Sequence, residues 1–179
     1  MKTIKSISIG IGSVLMICAM VSLYSCKKET PMGNMSVTMT DAPTNLKQVN
    51  VDVIGVEIET AANGWVTLPI NAGVYDLLTL QNDVSAVLAP STSIPAGRVN
   101  QLRLHLGVNN SVMDSSNITY PLIIPSGSET GLKINVDQTV VVNHTLTIQL
   151  DFDAGSSIVQ TTNGYQLKPV LKIKSVTQH

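Results

Sequence analysis

The chain has 179 residues, a formal net charge of −1 and only 13% charged residues, about half the usual share. That balance excludes the basic stripe on which nucleic-acid binding depends. The two cysteines, Cys18 and Cys26, both lie in the first 26 residues, so the remainder has no disulfide and must be stabilised by packing.

In chain order, Lys2 and Lys5 form a positive start, and Ile7 to Val21 is an apolar run of about fifteen residues. The run fits a secretory signal and is short for a membrane span. Leu23-Tyr24-Ser25-Cys26 follows and resembles a bacterial lipobox, with Tyr24 larger than the usual residue at its position. The resemblance implies cleavage before Cys26 and acylation of that cysteine, so residues 1–25 are read as a lipoprotein signal peptide. Two or three acyl chains would make the anchor effectively permanent. Lys27 and Lys28 follow, with no Asp after the cysteine, a pattern that points to the outer membrane and leaves the membrane face open. After cleavage nine Lys and Arg stand against twelve Asp and Glu.

Residues 26–34 read as the lipidated cysteine and its tether, and residues 35–177 as one domain. Met35 to Thr40 alternates apolar and polar, as a half-buried strand does, and Asp41-Ala42-Pro43 stops it. Val49 to Glu59 alternates again, with Gly55 suited to a bulge that resets the register to Val56 and Ile58. Asn63-Gly64 predicts a type I′ hairpin turn and Trp65 to Leu68 the returning strand. Val74 to Leu80 is a short apolar run. Asp83 is placed to cap a short helix over Val84 to Ala89, ended by Pro90, the only helix the pattern predicts.

Ile94-Pro95-Ala96-Gly97 predicts a turn. Over Val99 to Leu106, Leu102, Leu104 and Leu106 share one face while Gln101, Arg103 and His105 share the other. Strands are predicted over Ile118 to Ile124 and Leu132 to Val136, separated by the turn-rich Pro125 to Ser128, with another starting at Val140 to Val142. Thr145 to Asp153 alternates with Leu146, Ile148, Leu150 and Phe152 inward. A second Asn-Gly pair, Asn163-Gly164, feeds Tyr165 to Val176, a run that Pro169 should bend or confine to an edge. Eight or nine short strands with frequent turns predict an all-β, antiparallel β-sandwich of immunoglobulin-like or transthyretin-like kind.

Several segments occur together and in order: Thr40 to Pro43, Tyr75 to Leu78, Ile94 to Gly97 running into Leu102 to Leu104, Ile124 to Gly127 with Gly131 to Lys133, Asp151 to Ala154, and Leu167 to Val170. As a set they resemble the domain of unknown function 4382 family, found in Bacteroidetes-type lipoproteins. The resemblance implies a β-sandwich surface module and brings no activity.

Asp151 and Asp153, two apart beside a Gly-Ser-Ser turn, are candidate Ca²⁺ ligands with Asp41; the plain alternative is a solvent-facing strand ending in an Asx turn. Arg103 is a candidate ligand clamp or a partner in a cross-strand ion pair. Trp65 and Tyr165 each follow an Asn-Gly turn and are candidates for stacking on sugar rings, or else core residues of a chain with few aromatics. His105 and His144, with no usable cysteine, do not make a zinc site, and neither a nucleophile elbow nor a phosphate-binding glycine loop occurs. No enzyme and no obligatory cofactor are expected. The residues suit a membrane-anchored, non-catalytic surface binding module, with carbohydrate as the ligand class. The alternative is a structural or adhesive part of a surface assembly that works through protein contacts at an edge strand.

Overall fold

The computed structural model describes residues 29–42, 46–125, 131–162 and 164–179. Cys26, Lys27, Lys28, Pro43, Asn163 and the turn residues Ser126 to Ser128 lie outside them. Thirteen strands form: β1 Met32–Asp41, β2 Gln48–Thr60, β3 Gly64–Leu68, β4 Gly73–Asp76, β5 Ala86–Pro95, β6 Gly97–Leu106, β7 Ser111–Met113, β8 Thr119–Ile123, β9 Leu132–Val140, β10 Thr145–Phe152, β11 Ile158–Thr161, β12 Gly164–Leu167 and β13 Leu171–Gln178. A 3-10 turn spans Leu77–Leu80, and the single described α-helix, α1, spans Ala154–Ser157.

The strands make two sheets. One has four strands in the order β13-β10-β1-β5; the other has nine, along the path β11-β12-β8-β7-β2-β6-β9, with β3 and β4 also paired to β2. Period-two alternation turns one side of each sheet inward. Met35, Val37 and Met39 of β1 and Leu146, Ile148 and Leu150 of β10 are fully buried, as are Val49, Val51, Val53, Val56 and Ile58 of β2 and Leu102 and Leu104 of β6. These residues join one continuous core. The all-β, sandwich-like fold is therefore as expected, with more and shorter strands than eight or nine.

Pairing is not purely antiparallel. β1 runs parallel to β10, in register from Asn34↔Thr145 to Asp41↔Phe152, and β12 runs parallel to β8. The absence of a crossover helix argued against parallel pairs. Here the crossover between β1 and β10 is most of the nine-stranded sheet itself, which needs no helix.

The predicted helix over Val84 to Ala89 is replaced by strand. Ala86, Val87 and Ala89 pair with Met39, Thr38 and Val37 of β1. The preceding Asn82 and Asp83 are left-handed (φ 55° and 67°), so Asp83 turns the chain instead of capping a helix. Burial of Leu88 against the core and an open ladder on β1 outweigh a weak local signal, and Pro90 is tolerated because β5 is an edge. The 3-10 turn that precedes it is capped by Asp76, whose side chain accepts from Leu78 N.

Other corrections are local. β1 begins at Met32, three residues inside the segment read as tether. The first hairpin closes through a three-residue loop, Ala61 to Asn63, with Gly64 alone at positive φ (66°), rather than a type I′ pair. Gly55 does reset the register of β2 against β6, and Ile54 is left exposed. Val141 and Val142 start no strand; they stand exposed in the turn between β9 and β10. Pro169 divides the last run altogether: β12 belongs to the nine-stranded sheet and β13 is an edge of the four-stranded one.

Candidate functional site

The outer side of the nine-stranded sheet carries a polar face built by register. Thr67 of β3, Glu57 of β2, Arg103 of β6 and Lys133 of β9 stand in one row across four strands. Trp65, Glu59, Gln101 and Asn135 make the adjacent row. Their chain neighbours Val56, Ile58, Leu102, Leu104 and Ile134 are buried, so alternation alone sends these eight side chains outward.

Trp65 and Arg103 meet on this face. The guanidinium carbon lies 3.8 Å from the centroid of the indole, a cation–π contact worth about 0.5–2 kcal/mol depending on desolvation. Arg103 Nη1 also donates to Glu57 Oε2 at 3.0 Å, and His105 Nε2 reaches the same oxygen at 2.9 Å. Because an ionised carboxylate only accepts, the imidazole donates from Nε2. These hydrogen bonds, His105 first and then Arg103, hold the Glu57 carboxyl below its ordinary value of 4.5. Only 18% of the Arg103 side chain is exposed, and among the described residues its Nε has no hydrogen-bond partner. The half-buried indole thus lies on a fixed cation.

Glycines allow the cluster to close. A Cβ on Gly131 (φ 81°) would come within 2.5 Å of Arg103 Cγ and 3.0 Å of His105 Cε1, so this end of β9 packs directly on the cluster. Sequence reasoning left Glu57 out. Its signal was the Gly55 bulge, which puts Glu57 and Arg103 in one register, but which strand neighbours β6 is not written locally.

Tyr165 is elsewhere. It pairs with Leu122 of β8, and its ring lies 5.2 Å from that of Tyr120, tilted by 53°, packed against the core. It does not join Trp65 and Arg103. A surface pocket of about 270 Å³ lies near the β8 end of this sheet, lined by Gly107, Val108, Asn110, Pro121, Leu122, Ile123 and Ile124.

The three aspartates lie around the ends of β1 and β10, each with a protein partner. Asp41 Oδ1 accepts from Ala154 N at 2.9 Å and its Oδ2 from Gln81 at 3.3 Å. Burial, opposed by these hydrogen bonds, raises its carboxyl above the ordinary 3.8. Asp151 pairs with Lys172 at 3.1 Å. Asp153 caps α1, accepting from Ser156 N and Oγ at 2.9 Å, and its carboxyl is held low chiefly by that backbone donor. Among the described residues no group of three or more His, Cys, Asp or Glu side chains is arranged to hold a metal ion. The His144 ring bonds through Nδ1 to the nearby Val142 carbonyl at 2.9 Å. No helix among the described residues is long and apolar enough to cross a membrane.

The model of the family described as domain of unknown function 4382 matches residues 32–169. No curated protein and no solved structure matches the chain.

Proposed function

The chain belongs to the domain of unknown function 4382 family, and from the face built on its nine-stranded sheet we propose a non-catalytic carbohydrate-binding module, held in the bacterial outer membrane by a lipidated Cys26. One arrangement carries this reading: Trp65, seated on Arg103, on a strand-built surface whose two outward rows are mostly polar. The CH faces of sugar rings stack on an aromatic plane, and a ring that is already held in place loses little freedom when a ligand arrives. Glu59 opposite it, and farther along the two rows Lys133 and the mutually bonded Gln101 and Asn135, offer donors and acceptors to hydroxyl groups. Two acids, Glu57 and Glu59, balance Arg103 and Lys133, which favours a neutral ligand over a highly charged one.

The test is affinity electrophoresis of a soluble fragment beginning near residue 30, in native gels containing a broad set of polysaccharides. Retardation by a polysaccharide, lost in Trp65→Ala and kept in Tyr165→Phe, is the expected result. Truncating a stacking aromatic at the centre of such a site weakens binding by at least ~2 kcal/mol. Unchanged mobility across the whole set would sink the reading. Running the gels with EDTA asks whether a cation at Asp41, Asp151 and Asp153 contributes.

A second reading, a structural or adhesive part, is favoured by one observation: β13 is an edge of the four-stranded sheet and has no proline within its eight residues. Such an edge can accept a strand from a partner.

A further inference from the structure

A second part of the outer side of the nine-stranded sheet is apolar. Register sets Val74 of β4 opposite Asp52 of β2, Pro121 of β8 opposite Ser111 of β7, and Ile123 of β8 opposite Gln166 of β12. Val51, Val53, Val112 and Leu122 beside these positions are buried, so alternation sends Val74, Pro121 and Ile123 outward. Val108, in the loop between β6 and β7, is 91% exposed, the most exposed large apolar residue among the described ones. Ile54, Val74 and Ile123 are each more than half exposed.

The loop that carries Val108 is fixed on both sides. Gly107 N donates to the Asp52 carbonyl at 2.8 Å, and Asn109 donates to Asp52 Oδ2 from its backbone N at 3.1 Å and from Nδ2 at 2.9 Å. Asn110 Oδ1 accepts from Asp52 N at 2.9 Å, and Asn110 Nδ2 donates to the Gly107 carbonyl at 2.7 Å. A Cβ on Gly107 would stand 2.3 Å from Asp52 Oδ2 and 2.9 Å from Ile54 Cγ2, so only glycine lets the loop sit this close. Val108 is therefore a rigid apolar projection. Beside it lies the pocket of about 270 Å³ that it shares with Pro121, Ile123 and Ile124. The volume falls just under the ~300–1,000 Å³ of sites for drug-sized ligands and is ample for one branched side chain. Asn110 is the one polar side chain in the described lining, and both ends of its amide are already bonded. The pocket therefore suits a hydrocarbon group and not a sugar.

We infer that this surface pairs with itself: two copies of the chain meet about a two-fold axis, and Val108 of each fills the pocket of the other. A projection and a hole side by side on one face are what such a self-complementary contact requires. The loop is ordered beforehand, so little freedom is lost on pairing. Ile54, Val74 and Ile123 leave water around the central contact, and none of them carries a charge that would repel its own copy. The carboxylate beneath them, Asp52, is buried and bonded to Asn109. Trp65 stands opposite Glu59, seven residues along β2 from Asp52 and about 20 Å away, so it stays open in the pair. On the carbohydrate reading the pair presents two such faces to one repeating polymer, which raises avidity. The pairing itself does not depend on that reading.

Residues Pro31–His179 form one compact unit that contains the core, so a soluble fragment of them serves for the test. Sedimentation velocity is run from about 5 µM to about 500 µM, the range in which a small contact associates. The mean mass should rise with concentration toward that of two copies and stop there. Val108→Asp and Ile123→Asp should each weaken association at least tenfold, whereas Val141→Asp, exposed in the turn after β9, should leave it unchanged. Urea midpoints show that the variants are folded, and Val108, which stands clear of the core, can lose its side chain without loss of the fold. A monomer at every concentration overturns the inference. So does a dimer that either Val108→Asp or Ile123→Asp leaves intact, which would place the contact on another surface such as the β13 edge. Growth beyond two copies overturns the closed two-fold pairing.

Discussion

Glu57 shows how one side chain ties local electrostatics to a surface. Its carboxyl is lowered by His105 and Arg103, so its contribution to stability is present above the ordinary value of 4.5 and is lost as pH falls through the lower folded-state value. Glu57→Gln should cost about 1 kcal/mol at pH 7, and the gap from wild type should close below pH 4.5. Urea melts at pH 7 and pH 3 check this; a gap of equal size at both would remove the ion pair as the cause. Asp41 has the opposite sign. Its value is raised by burial, so the protonated form is favoured in the fold and stability is lost as pH rises from 3.8 through the folded value. Asp41→Asn keeps an acceptor for Ala154 N and should change stability at pH 7 by less than about 1 kcal/mol, whereas Asp41→Ala, which orphans that donor, should cost about 1–3 kcal/mol. A marked loss in Asp41→Asn, together with a melting temperature that rises with added Ca²⁺ only in wild type, would indicate a bound cation instead.

At the scale of elements, close approach decides more than propensity does. Gly33 sits where β1 crosses the turn after β9, and a methyl group there meets backbone, which cannot rotate away. Gly33→Ala should destabilise by about 1–3 kcal/mol, read as a lower urea midpoint at unchanged slope. Gly64, by contrast, has open space around it, and its requirement is the left-handed backbone alone. The segment after Asp83 teaches the related lesson. Val84 to Ala89 follows a cap-like Asp83, holds a few apolar residues and is ended by Pro90, all of which suit a short helix, yet the same apolar residues complete an edge strand on β1. A pattern of six residues does not separate the two outcomes.

For the whole molecule the parallel pairing of β1 with β10 dominates. Its partners, such as Met35 and Leu146, lie more than 100 residues apart in sequence, and the loop-closure entropy must be met before the contact forms. Refolding of the soluble domain should accordingly take milliseconds to seconds or longer. Stopped-flow fluorescence of Trp65 follows it, and complete recovery within microseconds would contradict a nucleus that needs this contact.

The residues by themselves determined that the chain is all β, which side of each long strand faces the core, and where Gly55 and Pro169 interrupt the ladder. Those features follow from period-two alternation and from the backbone limits of glycine and proline, which act over a few residues. Arg103 was also readable as an outward residue with a cross-strand acid as its natural partner. What only the tertiary structure decided is which strands become neighbours. That choice makes β1 and β10 parallel, sets Glu57 beside Arg103 and brings Trp65 over it. It also leaves Tyr165 against Tyr120 and brings Asp41, Asp151 and Asp153 together around the ends of β1 and β10. Neighbourhood across a sheet depends on long-range burial summed over the whole core, and no stretch of ten residues carries that information.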